Sequence, residues 1–126
     1  MFSLRKWYLD CIAESGELCI AYRAELRIGN AEMSFASLLR FDEQDGVRTR
    51  WTLRSCPEPS GNDVLTWEAP ALGFAARFAR LDPGYSATLL DGADGAVRWT
   101  CSHPRADAEM RFADQVLGGV GYGEVL

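Results

Sequence analysis

Every even-numbered residue between Leu18 and Ile28 is apolar, and this alternation constrains the fold more than any other feature of the chain. Side chains of a β-strand point alternately to its two faces, so a period of two over eleven residues predicts a half-buried strand. The odd positions include Arg23, Glu25 and Arg27, which we expect to face outward. The even face is predicted to pack into an apolar interior through Leu18, Ile20, Tyr22, Ala24, Leu26 and Ile28.

The same period recurs in residues 33–41 and 47–55, so the three segments predict an antiparallel meander. Residues 74–81 fit either a strand or a helix, and the Asp-Pro-Gly turn that follows favours a strand. Residues 106–112 follow Pro104, are rich in Ala and Glu, and are predicted to form a helical turn. The remaining predicted strands are residues 64–69, 87–90, 97–101 and 119–126.

About nine strands in sequential order predict a single all-β domain over residues 1–126. The expected architecture is an antiparallel up-and-down meander that forms a barrel or a strongly curled sheet, and a two-sheet sandwich is the alternative. A barrel of this size has room for side chains or for one small ligand.

Charge and composition exclude several classes of function. A formal net charge of −5 argues against binding to nucleic acid or to anionic membranes. No apolar run is long enough to span a membrane, and the N-terminus lacks a secretory signal core, so the predicted location is cytoplasmic. The high content of Arg and Ala indicates a bacterial coding sequence.

The cysteines and the single histidine do not suggest a metal or redox site. The spacing of the four cysteines, Cys11, Cys19, Cys56 and Cys101, matches no zinc or redox motif. His103 is the only histidine, so a site that needs two histidines is excluded. We therefore predict no cofactor and no metal. Cys11 and Cys19 are predicted to be reduced, small core side chains.

Three short segments carry a family resemblance: Lys6-Trp7-Tyr8-x-Asp10, Ile20-Ala21-Tyr22 and Gly119-x-Gly121-Tyr122-x-Glu124-x-Leu126. Together they resemble the lipocalin-like superfamily that includes the carotenoid 1,2-hydratases (hydroxyneurosporene synthases). The resemblance implies a lipocalin-like barrel, one of two consecutive barrels in such proteins, and a small apolar ligand such as a polyene or an isoprenoid. It transfers no catalytic residue to this chain.

The direction of Asp10 depends on the turn that follows the first strand. A two-residue turn, Ser15-Gly16, places Asp10 in solvent, which is the simpler alternative and the one that we favour. A three-residue turn, Glu14-Ser15-Gly16, places Tyr8 and Asp10 on the face of Tyr22. Burial would then raise the pKa of Asp10 and suit it to protonate an alkene, as a hydratase or isomerase requires, with Tyr8 and Tyr22 orienting it.

Aromatic residues occur at intervals along the predicted strands. They either fill the barrel, which the sequence favours, or wall an apolar cavity. The candidate ligand-binding residues are Trp7, Tyr22, Phe35, Trp51, Trp67, Trp99 and Tyr122.

Two further surfaces are candidate sites for binding a partner. Gly119, Gly121 and Gly123 leave one face of the last strand bare, so this strand either closes the barrel or pairs with a second barrel or a homodimer partner. Arg48, Arg50 and Arg54, with Arg23 and Arg27 nearby, form either a site for an acidic partner or a solvated outer face paired with Glu25 and Glu32. The solvated face is favoured.

Overall fold

The computed structural model describes all 126 residues and contains nine antiparallel strands in one sheet. A single turn of 3-10 helix, Pro70–Leu72, connects the fifth strand to the sixth. No helix is long and apolar enough to cross a membrane. The strands are β1 (Phe2–Ala13), β2 (Leu18–Ile28), β3 (Ala31–Asp42), β4 (Gly46–Thr52), β5 (Val64–Ala69), β6 (Phe74–Arg80), β7 (Tyr85–Gly92), β8 (Gly95–Phe112) and β9 (Val116–Val125).

The strand order is β4-β3-β2-β1-β9-β8-β6-β5, and β7 pairs with β8 outside this path. β4 and β5 are the two ends of the path and do not pair with each other, so the sheet is curled but not closed. The Pro70–Leu72 turn contacts β3 and β4 across the gap. The predicted all-β class and the strongly curled antiparallel sheet are thus confirmed, as is the meander of β2, β3 and β4.

The helical turn predicted for residues 106–112 is wrong, because this segment is the second half of β8. It pairs on both sides: Ala108 lies opposite Phe78 of β6 and opposite Gly119 of β9. Hydrogen bonds to two neighbouring strands outweigh the modest helix preference of Ala and Glu.

The buried face of β2 is the odd face, not the even face that the alternation predicted. Cys19 and Ala21 are fully buried, whereas Ile28, at the end of the even face, is 56% exposed. The even residues from Leu18 to Leu26 are half-buried. Small side chains face the interior because Trp67 and Phe78, from β5 and β6, occupy the space inside the curl and are 1% and 0% exposed.

Gly121 and Gly123 of β9 belong to this interior. A Cβ added to Gly121 would lie 2.6 Å from the ring of Phe78 and 2.7 Å from Cβ of Ala108. The bare glycine face therefore accommodates a bulky ring from the same chain. β9 also pairs with β1 on one edge and β8 on the other, so the last strand offers no free edge to a second barrel or a homodimer partner.

Cys11 and Cys19 lie directly opposite each other in the β1–β2 ladder. Both thiols are buried and unbridged, as expected for small core side chains. Burial raises the pKa of Cys11 to about 11 and that of Cys19 to about 12.

The strand register places Arg23 of β2 and Arg48 and Arg50 of β4 on the same face of the sheet, the inner one. Arg23 is only 3% exposed, donates to the carbonyl of Cys56 over 3.1 Å and pairs with Glu25 at 2.9 Å, so its predicted outward position is wrong. Arg48 and Arg50 lie on the inner side of β4, since their cross-strand partners are Arg40 and the buried Leu38. Arg48 pairs with Asp42 rather than with Glu25 or Glu32.

Candidate functional site

The turn between β1 and β2 determines which side chains can form a site. Ala13 N–H donates to the carbonyl of Glu17 over 2.9 Å, which leaves Glu14, Ser15 and Gly16 as a three-residue turn. Gly16 has a φ of +89°, which favours glycine. The two-residue turn that the sequence favoured is thus wrong, and the three-residue alternative is the observed one, with Tyr8 and Asp10 on the even face of β2. That face is the outer face of the curl, so Asp10 does not enter the interior that this alternative predicted.

Four side chains at the junction of β1 and β9, together with Trp99 of β8, form what we call the tyrosine–carboxyl cluster. The hydroxyl of Tyr8 donates to Oδ2 of Asp10 over 3.0 Å, and the hydroxyl of Tyr122 donates to Oε2 of Glu124 over 2.7 Å. Nε1 of Trp99 donates to the same Glu124 oxygen over 2.7 Å. Each carboxyl group is therefore held by at least one aromatic donor.

The antiparallel register brings the two tyrosine–acid pairs together. Tyr8 lies opposite Glu124, and Asp10 lies opposite Tyr122. The rings of Tyr8 and Tyr122 meet edge to face with their centroids 6.2 Å apart. Two Tyr-x-acid segments that run in opposite directions thus place two acids and two phenols on one small area of the sheet.

This environment shifts the acidities of the cluster. Burial raises the pKa of Asp10 and the nearby Glu124 raises it further, while the hydrogen bond from Tyr8 opposes the rise. Burial and the bond to Asp10 raise the pKa of Tyr8 to about 12, and burial with the bond to Glu124 raises the pKa of Tyr122. The tyrosines therefore remain hydrogen-bond donors, and Asp10 retains its proton to a higher pH than an ordinary aspartate.

Aromatic side chains continue from the cluster across the outer face. Trp51 of β4 stacks on Phe35 of β3 at 6.4 Å, and Phe35 meets Tyr22 of β2 edge to face at 6.2 Å. Tyr22 lies directly opposite Tyr8, which contacts Tyr122. We call these five residues the aromatic row, which crosses five consecutive strands.

The structure separates the predicted ligand-binding residues into two groups. Tyr22, Phe35, Trp51, Trp99 and Tyr122 lie together on the outer face. Trp7 and Trp67 instead belong to the core, where they are 7% and 1% exposed.

Of the residues predicted to carry acid chemistry, Tyr8 bonds to Asp10 and Tyr22 does not. Tyr22 contacts Phe35 instead, although it shares the face of Asp10. The sequence analysis did not identify Glu124 as a site residue or Trp99 as its hydrogen-bond donor. The repeat of the pattern Tyr-x-acid at 8–10 and 122–124 was the available signal. No group of three His, Cys, Asp or Glu side chains converges as a metal-ligand set.

Comparison with known proteins supports the fold. No family model matches the chain, and no curated protein matches it. The fold is similar to the crystal structure of a protein provisionally assigned as AttH (NE1406) from Nitrosomonas europaea, with a TM-score of 0.57 and 9% sequence identity. The match covers 97% of this chain and 50% of that chain, so this chain spans about half the length of its structural neighbour. The chain has a lipocalin-like all-β fold.

The raised pKa of Asp10 makes a prediction about stability. Since the folded protein binds this proton more tightly than the unfolded chain, the contribution of Asp10 is most favourable below the unfolded pKa and is lost as pH rises through the folded pKa. Asp10→Asn keeps an acceptor for Tyr8 without a charge. We expect its Tm in a thermal melt to exceed that of wild type at pH 7 and to equal it at pH 3.

The exposed Asp91 of β7 provides the matched control. The Tm of Asp91→Asn should equal that of wild type at both pH 7 and pH 3. A lower Tm for Asp10→Asn at pH 7 would show that the Asp10 charge stabilises the fold, contrary to this account.

Proposed function

We propose that this chain is a lipocalin-like binding unit that holds a small, elongated apolar ligand, of the polyene or isoprenoid kind, along the aromatic row. The observation that carries the proposal is the continuous series of ring contacts from Trp51 through Phe35 to Tyr22, which leads to the Tyr8–Tyr122 pair. The tyrosine–carboxyl cluster lies at one end of this series and supplies the polar contacts that would orient the ligand.

The dimensions of the row suit an extended molecule. Five neighbouring strands include four inter-strand spacings, which amount to about 19 Å. Aromatic rings offer large apolar contact areas with little loss of side-chain entropy. The inside of the curl is a poorer location, because Trp67, Phe78 and Met110 fill it and are at most 1% exposed.

A ligand on this face needs a cover, and we propose a second lipocalin-like unit as that cover. Apolar side chains occupy the face that carries the row on β1 to β4 and β9, and many are more than half exposed. Patches of this extent in water mark interaction surfaces. We call this surface the outer apolar face; its most exposed members are Phe2, Ile12, Ile28, Met33, Val47, Trp51, Val116 and Val120.

The length of the structural neighbour supports this cover. The neighbour is twice as long as the part of it that matches, which leaves room for a second unit of similar size. A second copy of this chain would provide an equivalent surface in a homodimer. In either arrangement face-to-face packing, rather than strand pairing through β9, joins the units.

Trp51→Glu tests the proposal, because the substitution places a charge in the aromatic row at a side chain that is 61% exposed in the free unit. We expect the wild-type chain to sediment as a dimer and to bind all-trans-retinol with quenching of tryptophan fluorescence. The variant should sediment as a monomer and bind retinol at least tenfold more weakly, since a charge cannot be buried unpaired at an apolar contact.

Leu89→Glu is the matched control, since Leu89 is 59% exposed on β7, outside the outer apolar face. It should retain both dimerisation and retinol binding. A wild-type chain that sediments as a monomer would contradict the homodimer, and equal retinol binding by the two variants would contradict the binding site.

A second candidate function is favoured by the raised pKa of Asp10, namely hydration of an isoprenoid alkene. Protonated Asp10 would transfer its proton to an alkene carbon, water would add to the resulting carbocation, and the released proton would return to the Asp10 carboxylate. Tyr8, bonded to Asp10, would hold the carboxyl group in position.

The test uses an acyclic polyene with a terminal isopropylidene group and detects the tertiary alcohol by mass spectrometry. We expect Asp10→Asn to lower the turnover by about a hundredfold or more, since it removes the transferable proton. Asp91→Asn should retain full turnover. Product formation that is unchanged in Asp10→Asn would exclude Asp10 as the acid.

A further inference from the structure

A pocket separate from the outer apolar face lies where the two ends of the curled sheet approach each other. It is situated between β3 and β4 on one side and the Pro70–Leu72 turn with the end of β8 on the other, and its volume is about 210 Å³. We call it the arginine pocket. Its lining includes three arginines (Arg40, Arg48 and Arg50), one carboxylate (Asp114) and an apolar part formed by Leu38, Leu72, Phe112 and Ala113.

The strand register concentrates positive charge at this pocket. Arg40 of β3 lies directly opposite Arg48 of β4, and Arg50 follows on the same side of β4. Like charges directly opposite each other in a ladder destabilise the pair unless an anion lies between or beside them. This register requires acidic groups beside Arg40 and Arg48, and Asp114 and Asp42 supply them, while Arg50 adds a third positive charge.

The chain supplies fewer negative charges than positive ones here. Asp42 pairs with Arg48 at 3.0 Å, and Asp114 pairs with Arg40 at 3.4 Å. Arg50 has no carboxylate within 4.0 Å, and its Nη1 reaches only the carbonyl of Leu72, at 3.4 Å. One positive charge in the pocket thus lacks a counter-ion from the protein.

Arg40 has more hydrogen-bond donors than the chain satisfies. Its guanidinium lies over the ring of Phe112, 3.8 Å from the centroid, and this contact fixes its position. Nε and Nη2 are buried without a hydrogen-bond partner. These two atoms are covered by protein, so the exposed Arg50 is the group that a bound carboxylate contacts.

We propose that the arginine pocket binds a small organic carboxylate with an apolar body, such as an aromatic or branched aliphatic acid. Arg50 provides the uncompensated charge for the carboxylate, beside the Arg40 guanidinium. Leu72 and Phe112 contact the apolar body. The volume lies below the range of pockets for drug-sized ligands, which limits the occupant to a compact molecule.

Titration of the folded protein with sodium benzoate, followed by nuclear magnetic resonance, tests this proposal. We expect saturable binding in the millimolar range or tighter, which weakens as salt is added. Arg50→Gln should weaken binding by about tenfold or more, since it removes the unpaired charge. Arg77→Gln, at an exposed arginine of β6 remote from the pocket, should leave the affinity within about twofold of wild type.

Arg50→Lys keeps the charge without the planar fork and should give an intermediate affinity if Arg50→Gln loses its fold. Benzyl alcohol, which lacks the charge, should bind more weakly than benzoate. Absence of benzoate binding, or equal weakening by Arg50→Gln and Arg77→Gln, would overturn the site. Inorganic phosphate that binds as tightly as benzoate would overturn the proposed ligand class. The arginine pocket contains no residue of the aromatic row, so these results do not depend on whether the aromatic row binds a ligand.

Discussion

Packing of two large side chains against a surface of small ones holds this sheet in its curl. Trp67 and Phe78 project from β5 and β6 into an interior where β2 and β9 contribute small residues such as Cys19, Ala21 and Gly121. Burial of each large side chain contributes roughly 1.5–3 kcal/mol, and an enlarged neighbour would cost about 1–3 kcal/mol through overpacking. Because β2 turns Cys19 and Ala21 inward, its larger apolar residues lie outside and contribute to the outer apolar face, whereas β1 buries Trp7 and Leu9.

The turn at residues 14–16 determines the chemistry of that face. A slip of one residue in an antiparallel pair moves every side chain to the opposite face. With three residues in the turn and Gly16 at a positive φ, Tyr8 and Asp10 join Tyr22 on the outer face. The pairing of β1 with β9 then adds Tyr122 and Glu124, so a local turn and a long-range strand pairing together assemble the tyrosine–carboxyl cluster.

The sequence predicted the strands, the antiparallel meander and the curled sheet, since alternation is a local property. It did not predict which face of β2 is buried, because both faces carry apolar residues and the choice depends on the volume of side chains about fifty residues away. The prediction for residues 106–112 was wrong for a similar reason: pairing with β6 and β9 is non-local. In the site, the favoured two-residue turn was wrong and the three-residue alternative placed Tyr8 and Asp10 with Tyr22, whereas the role of Glu124 depended on the pairing of the two chain ends.

Thiol labelling of the native protein tests the central claim, that the odd face of β1 and β2 lies inside and the even face outside. Cys11 and Cys19 lie on the odd face and are 1% and 0% exposed. We expect both to react with Ellman's reagent only as fast as the protein unfolds, while a cysteine introduced by Ile12→Cys into the monomeric Trp51→Glu variant, at a position that is 58% exposed in the single chain, reacts at once. Rapid labelling of Cys11 or Cys19 in the folded protein, mapped by mass spectrometry, would show that the faces are reversed and would contradict the account.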